Sequence, residues 1–600
     1  MNDYLLSADD YNFKGIAACK LGNYQGAIKL FTNAINIDPN LPGVYYNRGI
    51  AYCDFRDYSN AISDFTKVIE LDSNHAPAYY NRGIVYNALQ DFNNSISDFT
   101  KAIEINPNDY GAYLNRGSAY SELREYSKAI SDYTNSIKLN PNYAEAYYGR
   151  GIVYMNMEEY SNAISEYSAA IELNPNYTSA YYNRGLVYYE LKDYNKAISD
   201  YTKAIDLNPN HSKAYYSRGN IYYDMQNYLK SLSDYTKVIE ITPNYAEAYI
   251  SRGNAYKKVY QDNSKSISDY DKAIEINPNY AEAYYNRGIE YYQLQNYTAA
   301  ISDFTKAIEL HPKYTDAFYN RGVANAELRD YTNALSDYTK AIEINPDYAR
   351  AYANRGTVYS KTKDFSKAIS DFNKAIEINP YDAVAYHNRG STFGLDLQKY
   401  SNAISDYTKA IELNSNLSDA FYNRGNIYKI LNEYSNAISD YTKSIEINPK
   451  DADAYYNRGL TFGKGFQDHI KAILDFTTAI EMNPNYAEAF CNRGDAYSFL
   501  NDYKEAISDY TKAIDILPSL TKAYRGRGNA YCYLQDFSKA ISDYTKAIEI
   551  NAIDADAYYN RGNAYYNSEN SIKACDDWRK AYSLGDPEAK KMLDKYCKTL

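Results

Sequence analysis

Apolar and polar positions along this chain follow two nested periods. The shorter is helical. In the stretch 76–109, APAYYNRGIVYNALQDFNNSISDFTKAIEINPND, Tyr79, Gly83, Tyr86 and Leu89 recur at three- and four-residue steps, the spacing of one helix face. Ile96, Phe99, Ala102, Ile103 and Ile105 repeat the pattern for a second helix. The polar pair Gln90 and Asp91 separates the two, and Pro107 follows the second, where it cannot continue a helical hydrogen-bond ladder. The pattern predicts a helix-turn-helix unit.

The longer period repeats that unit. Glycines from Gly15 to Gly562 recur at 34 residues in thirteen intervals and at 35 in three, which makes seventeen copies. A period of this length marks a solenoid in which each unit packs chiefly on its neighbours, so one elongated array replaces the several globular domains that 600 residues would otherwise suggest. Small residues are equally regular. Gly83 stands where two helices must approach closely, and the position of Ser95 holds only Ala or Ser, from Ala27 through Ala574. The three longer intervals each add one residue near the turn, at 260–264, 394–399 and 463–468. Two of these carry glycines (Gly394; Gly463 and Gly465) late in the first helix, which makes them candidates for a local bend.

The unit closely resembles the tetratricopeptide repeat: an aromatic four residues before the glycine (Tyr79), another three after it (Tyr86), one near the turn (Phe92), then Ser95, Phe99, Ala102 and Pro107. The resemblance covers residues 8–588, after a tail at 1–7. Pro is absent from its expected place only at Ser73, Ser415, Ala552 and Asp586. At 587–600 a capping helix is expected. Asp586 suits its N-cap, Pro587 its first residue, and Ala589, Met592, Leu593 and Tyr596 form one apolar face beside Trp578. The resemblance implies an all-α fold, a right-handed superhelical solenoid whose first helices line a concave groove. Pentatricopeptide arrays, which bind RNA, run at 35 residues; here that interval reflects single insertions in otherwise unchanged repeats.

Charge and cysteines bound the partners. A net charge of −12 disfavours nucleic acid, whose phosphates are held by clustered Lys and Arg. No apolar run approaches the ~20 residues of a membrane span, and the opening MNDYLLSADD has acids where a signal peptide needs basic residues. Six cysteines with no C-x-x-C pair suit a reducing compartment better than a disulfide framework. A cytoplasmic protein is expected. The five histidines lie in different repeats, and no phosphate loop, nucleophile elbow or metal signature is present, so a non-enzymatic protein without cofactor is expected.

Sixteen repeats carry Arg immediately before the glycine, from Arg48 to Arg561, and all sixteen carry an acid before the second-helix aromatic, from Asp64 to Asp577. In the first repeat Lys14 and Leu30 replace both together. The joint change predicts that each guanidinium pairs with a second-helix carboxylate and fixes helix register, rather than forming a basic binding stripe.

In the family resembled, the groove is lined by the second, fifth, ninth, twelfth and thirteenth residues of each repeat. The fifth is often Tyr, as at Tyr148, Tyr182, Tyr216 and Tyr285; the twelfth adds Tyr189 and Tyr223; Asn183 and Asn286 stand at the sixth. Tyr supplies rigid apolar area with one hydroxyl, and Asn can pair with both donors and acceptors of an extended backbone. This describes a trough for a protein or peptide segment. The alternative is that the Tyr rings pack on neighbouring helices and the Asn amides fasten adjacent repeats. Groove charges number eight acids to four bases over the first nine repeats and seven to six over the rest, which favours a ligand with its basic part toward the N-terminal half. Co-chaperones of the family hold a partner's C-terminal carboxylate in a clamp of basic and Asn residues. Arg525, Asn529 and Asn560 match its first three positions and Lys590 its fourth, although Asp594 stands where a further base is expected. Assembly through the convex face is a third reading.

Overall fold

The computed structural model describes residues 6–260 and 263–597. Residues 1–5 of the tail, 261–262 of the first insertion and 598–600 lie outside it. Among the described residues there are thirty-five α-helices, one π-helical turn and no strand. Seventeen pairs of a first and a second helix, such as Ala76–Ala88 and Phe92–Ile105, are followed by the single helix Pro587–Tyr596. Each helix packs mainly on the next in sequence. Two compact units result, residues 1–290 and 291–600, each a stack of such pairs.

Local chemistry sets the unit's boundaries. Gln90 ends the first helix in the left-handed region with φ 62°, and in the first repeat Gly22 takes that place with φ 75°. Asp91 then caps the second helix by accepting from the Asn94 amide at 3.3 Å. The second-helix aromatic, for example Phe99 or Tyr201, is completely buried. A Cβ on Gly83 would lie 2.9 Å from the Phe99 ring, and one on Gly185 2.7 Å from the Tyr201 ring, so the recurrent glycine is the point of close helix approach. The Ser95 hydroxyl adds a buried bond to the Gly83 carbonyl at 3.0 Å.

The insertions do not produce one common device. In repeats 8 and 14 the first helix lengthens to fifteen residues, Ala246–Tyr260 and Ala452–Phe466. In repeat 12 the extra residue is absorbed by the π-helical turn Thr392–Asp396, which contains Gly394.

The terminal helix covers the last pair. Ala589 is buried, and Met592, Leu593 and Tyr596 pack on a cluster around Trp578 and Cys575. Asp586 caps it, accepting from the amides of Glu588 and Ala589 at 2.8 and 3.4 Å. One expectation needs correction. Cys19, Cys53, Cys491 and Cys532 are free, but Cys575 and Cys597 form a disulfide with their Cα atoms 5.9 Å apart. The terminal helix returns across the second helix of repeat 17, and residues 22 apart in sequence meet. Sequence spacing alone does not reveal that return.

Candidate functional site

The recurrent arginines are internal braces. Arg48 grips Asp64 with two parallel bonds, Nε to Oδ2 and Nη2 to Oδ1, both 2.8 Å. The same fork recurs at Arg82 with Asp98, Arg218 with Asp234 and Arg561 with Asp577. In repeats 8, 12 and 14 the insertion stretches the separation from 16 to 17 residues, yet the fork closes at 2.7–2.9 Å. In most repeats the remaining Nη1 donates to a hydroxyl one repeat back, Arg48 to Thr32 at 2.9 Å and Arg184 to Ser168 at 2.8 Å, whereas Arg389 meets the Asn373 side-chain oxygen at 2.6 Å and Arg287 the Asp271 carboxylate at 2.5 Å. Each such Arg therefore joins its own second helix to the preceding one. Burial raises the Asp64 carboxyl above its ordinary value despite the guanidinium's downward pull. The pair thus fixes register more than it adds net stability.

The groove tyrosines and asparagines form a second ladder. Asn183 donates from Nδ2 to the Tyr148 hydroxyl of the preceding repeat at 2.9 Å, as Asn81 does to Tyr46 and Asn354 to Tyr319. Tyr216 makes the equivalent link to the Ser251 hydroxyl at 3.2 Å. The rings are packed as well. Tyr148 lies 5.8 Å from Tyr167 and 4.8 Å from Tyr177, Tyr182 5.7 Å from Tyr201 and 4.9 Å from His211, and Tyr216 5.8 Å from Tyr235 and 5.0 Å from Tyr245. Tyr285 and Asn286 are half-buried at the same positions of repeat 9.

A third regularity is not apparent from one repeat. Where the ninth position is Asn or Asp, the second-helix aromatic is Tyr or Trp and donates to it. Tyr235 bonds Asn220 at 2.8 Å, Tyr270 bonds Asn254 at 2.7 Å, Tyr510 bonds Asp495 at 2.7 Å, and Trp578 bonds Asn563 at 3.0 Å. Where that aromatic is Phe the ninth residue is Ile or Leu in every repeat but one, as at Phe65 with Ile50 and Phe476 with Leu460. The co-occurrence is visible in the sequence once the repeats are stacked.

Between these ladders, repeats 6 to 8 enclose a cavity of about 200 Å³ lined by Tyr189, Asn220, Tyr223, Asp224, Tyr235, Ser251 and Asn254. Burial raises the Tyr189 and Tyr223 phenols above their ordinary value, so both stay protonated donors at neutral pH. Asp224 is exposed at the rim.

Near the C-terminus the clamp residues are engaged elsewhere. Arg525 Nη1 sits 2.9 Å from both Asp554 and Asp556. The Asn529 side-chain oxygen accepts from the Tyr544 hydroxyl at 2.6 Å and from Asn560 at 3.2 Å. Lys590 lies over the Tyr582 ring, 5.9 Å from its centre. Among the described residues no group of three or more His, Cys, Asp or Glu is placed to hold a metal ion, and no helix is long and apolar enough to cross a membrane.

Family models match along most of the chain. Tetratricopeptide repeat models match residues 76–109, 110–143, 178–211, 281–314, 315–348, 349–382 and 487–520, with others at 42–75, 200–232 and 452–486. A further TPR repeat model matches 15–54, 156–192, 219–259, 261–293, 394–429, 425–465 and 528–568. The chain belongs to the tetratricopeptide repeat family. A comparison with curated proteins returns no match. Similar solved structures include YrrB, described as a TPR protein with an unusual peptide-binding site, which is 27% identical over 31% of this chain and 95% of its own, with a TM-score of 0.29. The APC/C hetero-tetramer Cut9–Hcn1 is 17% identical over 82% and 96%, with a TM-score of 0.35. A tetratricopeptide repeat protein from Parabacteroides merdae is 23% identical over 41% and 97%, with a TM-score of 0.33.

Tetratricopeptide arrays are scaffolds of a kind typical of protein–protein interaction, and this array has its own variant of the repeat. Arg stands where the commonest family pattern has Leu, and the acid that receives it recurs with it, joined in most repeats by a hydroxyl one repeat back, from Arg48, Asp64 and Thr32 onward.

Proposed function

We propose that this tetratricopeptide array is a non-enzymatic scaffold that binds an extended protein segment along its first helices. On this reading the cavity of repeats 6 to 8 is a principal contact. That cavity carries the reading. It combines two half-buried phenols, Tyr189 and Tyr223, with the Asn220 and Asn254 amides and the rim carboxylate of Asp224. Phenol and amide groups suit a peptide main chain, and Asp224, with Glu190 and Glu247 exposed on neighbouring first helices, suits a basic side chain. Tyr148, Tyr182, Tyr216, Tyr285, Asn183 and Asn286 then frame the trough, with the Asn183–Tyr148 bond holding its spacing. The carboxylate clamp has less support, because Asp554 and Asp556 already neutralise Arg525.

The test is a pull-down with the full chain and with Tyr189→Ala/Tyr223→Ala. Tyr182 and Tyr216 are poorer probes because their rings are packed between two others. Partner recovery should fall about tenfold with far-UV CD unchanged. Undiminished recovery would move the site out of this cavity, to the convex face or another part of the groove.

A further inference from the structure

Gly463 is out of place energetically. It lies inside the fifteen-residue helix Ala452–Phe466, where glycine is the poorest residue short of proline. Most glycines of the array earn no alternative, because a Cβ would strike a ring. Gly459, one turn earlier, would meet Phe476 at 2.9 Å, and Gly394, which holds the same twelfth position in repeat 12, would meet Ala403 at 2.9 Å and Ile427 at 3.0 Å. A Cβ on Gly463 would meet only the Ala472 methyl, at 3.8 Å. Packing does not require this glycine. Its visible consequence is a cavity of about 390 Å³ between the first helices of repeats 14 and 15.

The walls of that cavity are chemically distinct from those of repeats 6 to 8. Its floor is Phe476 and Ala472, and one side is the His469 ring stacked on Phe499, 4.6 Å apart and 6° from parallel. Phe499 is 71% exposed, and Phe466 at the end of the lengthened helix is 53% exposed. Phe499 also walls the next cavity along, about 320 Å³ between repeats 15 and 16, whose far side is Tyr533, 69% exposed. The charge at the mouth is positive. Lys464 lines it with no carboxylate partner among the described residues; Lys429, one repeat back and outside the lining, is half-buried, near enough to Lys464 for the two charges to repel, and bonded to the Asn457 side-chain oxygen at 2.5 Å. The lining acid, Asp495, is already taken up by the Tyr510 hydroxyl and Lys522, both at 2.7 Å.

We infer that repeats 14 to 16 form a second recognition site, for a protein segment that places a large apolar side chain in the cavity at Gly463 and an acidic residue against Lys464 and Lys429. The inference rests on the reading that segments bind along the first helices, and it assigns the C-terminal part of that surface a ligand opposite in charge to the one suited to Asp224.

The test uses the full chain and fluorescein-labelled, C-amidated hexapeptides with a central Leu-Phe pair flanked by Glu, by Lys, or by Glu with the pair changed to Ala-Ala. Anisotropy should show the Glu-flanked Leu-Phe peptide binding about tenfold or more tightly than either control. Gly463→Leu, which fills the cavity from a position where a Cβ makes only an ordinary contact with Ala472, should abolish that binding while leaving the CD spectrum and Tm unchanged or the Tm higher. Lys464→Glu should reverse the preference between Glu and Lys flanks. Tyr189→Ala/Tyr223→Ala should have no effect. Equal affinity for the three peptides, no binding by any of them, or full binding by Gly463→Leu would overturn the inference. Binding kept in Gly463→Leu would remove this inference alone, because the groove reading is tested separately by the pull-down with Tyr189→Ala/Tyr223→Ala. Self-association of the chain that Gly463→Leu abolishes would give the cavity to a second copy and likewise overturn the proposal.

Discussion

Repeat 5 contains a natural defect in the arginine brace, and repairing it tests the brace directly. Glu166 stands where fifteen other repeats carry Asp. Its longer side chain puts both carboxylate oxygens on one nitrogen of Arg150, Nη2, at 2.8 and 2.9 Å. The Arg150 Nε is left buried without a partner. Glu166→Asp should restore the two-bond fork seen one repeat later at Arg184 and Asp200, where both bonds are 2.8 Å. Satisfying a buried donor is worth about 1–3 kcal/mol, and removing one methylene from a half-buried site costs about 0.8 kcal/mol, which leaves a gain of about 1 kcal/mol. Repeats open locally, so a global melt would dilute the effect; native-state hydrogen exchange on Ala144–Asn156 and Tyr160–Leu173 reads it in place. The opening constant there should fall about fivefold. Asp200→Glu should raise it by a similar factor in repeat 6. Unchanged or faster exchange in Glu166→Asp would show that the second bond of the fork is not a source of stability.

Two other outcomes follow from the same ladders. Thr66→Val deprives Arg82 Nη1 of its acceptor at 2.8 Å and should destabilise the junction of repeats 2 and 3 by about 1 kcal/mol, while Thr66→Ser, which reproduces the natural Ser168 arrangement, should restore it. Equal exchange rates in wild type and Thr66→Val would refute a structural role for that bond. Burial raises the second-helix phenols, Tyr407 to about 12 and Tyr201, Tyr235 and Tyr510 further. Their folded values lie above the unfolded value of about 10, so the stability they contribute is intact below pH 10 and is lost as pH rises beyond it. Absorbance at 295 nm and far-UV CD followed together should show this buried set ionising only as helix is lost; complete ionisation near pH 10 with the helices intact would contradict it.

The parts of the molecule legible in the sequence are those where a rule repeats. Gly83 and Ser95 recur because helices touch there, and Arg48 with Asp64 could be paired because repeat 1 loses both at once. Thr32 was not legible as a third partner, since it belongs to the preceding repeat and Thr in a second helix looks like a solvated residue. The Asn183 amide was ambiguous for a similar reason: its acceptor, Tyr148, is 35 residues away and looks equally suited to a ligand. Gly459 and Gly463 are indistinguishable as letters on one helix, and only the position of the rings of the second helix separates a contact glycine from one that leaves space. The disulfide depends on where the terminal helix lands, which no repeat encodes.

These ladders bear on where specificity can reside. The arginine fork and its hydroxyl satisfy the most conspicuous charges, and the Asn–Tyr and Tyr–Asn bonds engage most of the recurrent amides and phenols. A side chain that repeats along the array offers the same contact at every step and cannot by itself fix a ligand's register. Register must come from positions that break the pattern. In the first unit the break is Asp224 beside Tyr189 and Tyr223; in the second it is Gly463 with Lys464 and Phe499. Substitution of a recurrent residue should therefore change the stability of two neighbouring repeats and leave distant binding intact, whereas substitution of a pattern-breaking residue should change binding with little effect on stability. Gly463→Leu and Thr66→Val, measured side by side for peptide affinity and local exchange, should fall on opposite sides of that division; a loss of affinity in Thr66→Val as large as in Gly463→Leu would mean that recognition is distributed over the repeat itself.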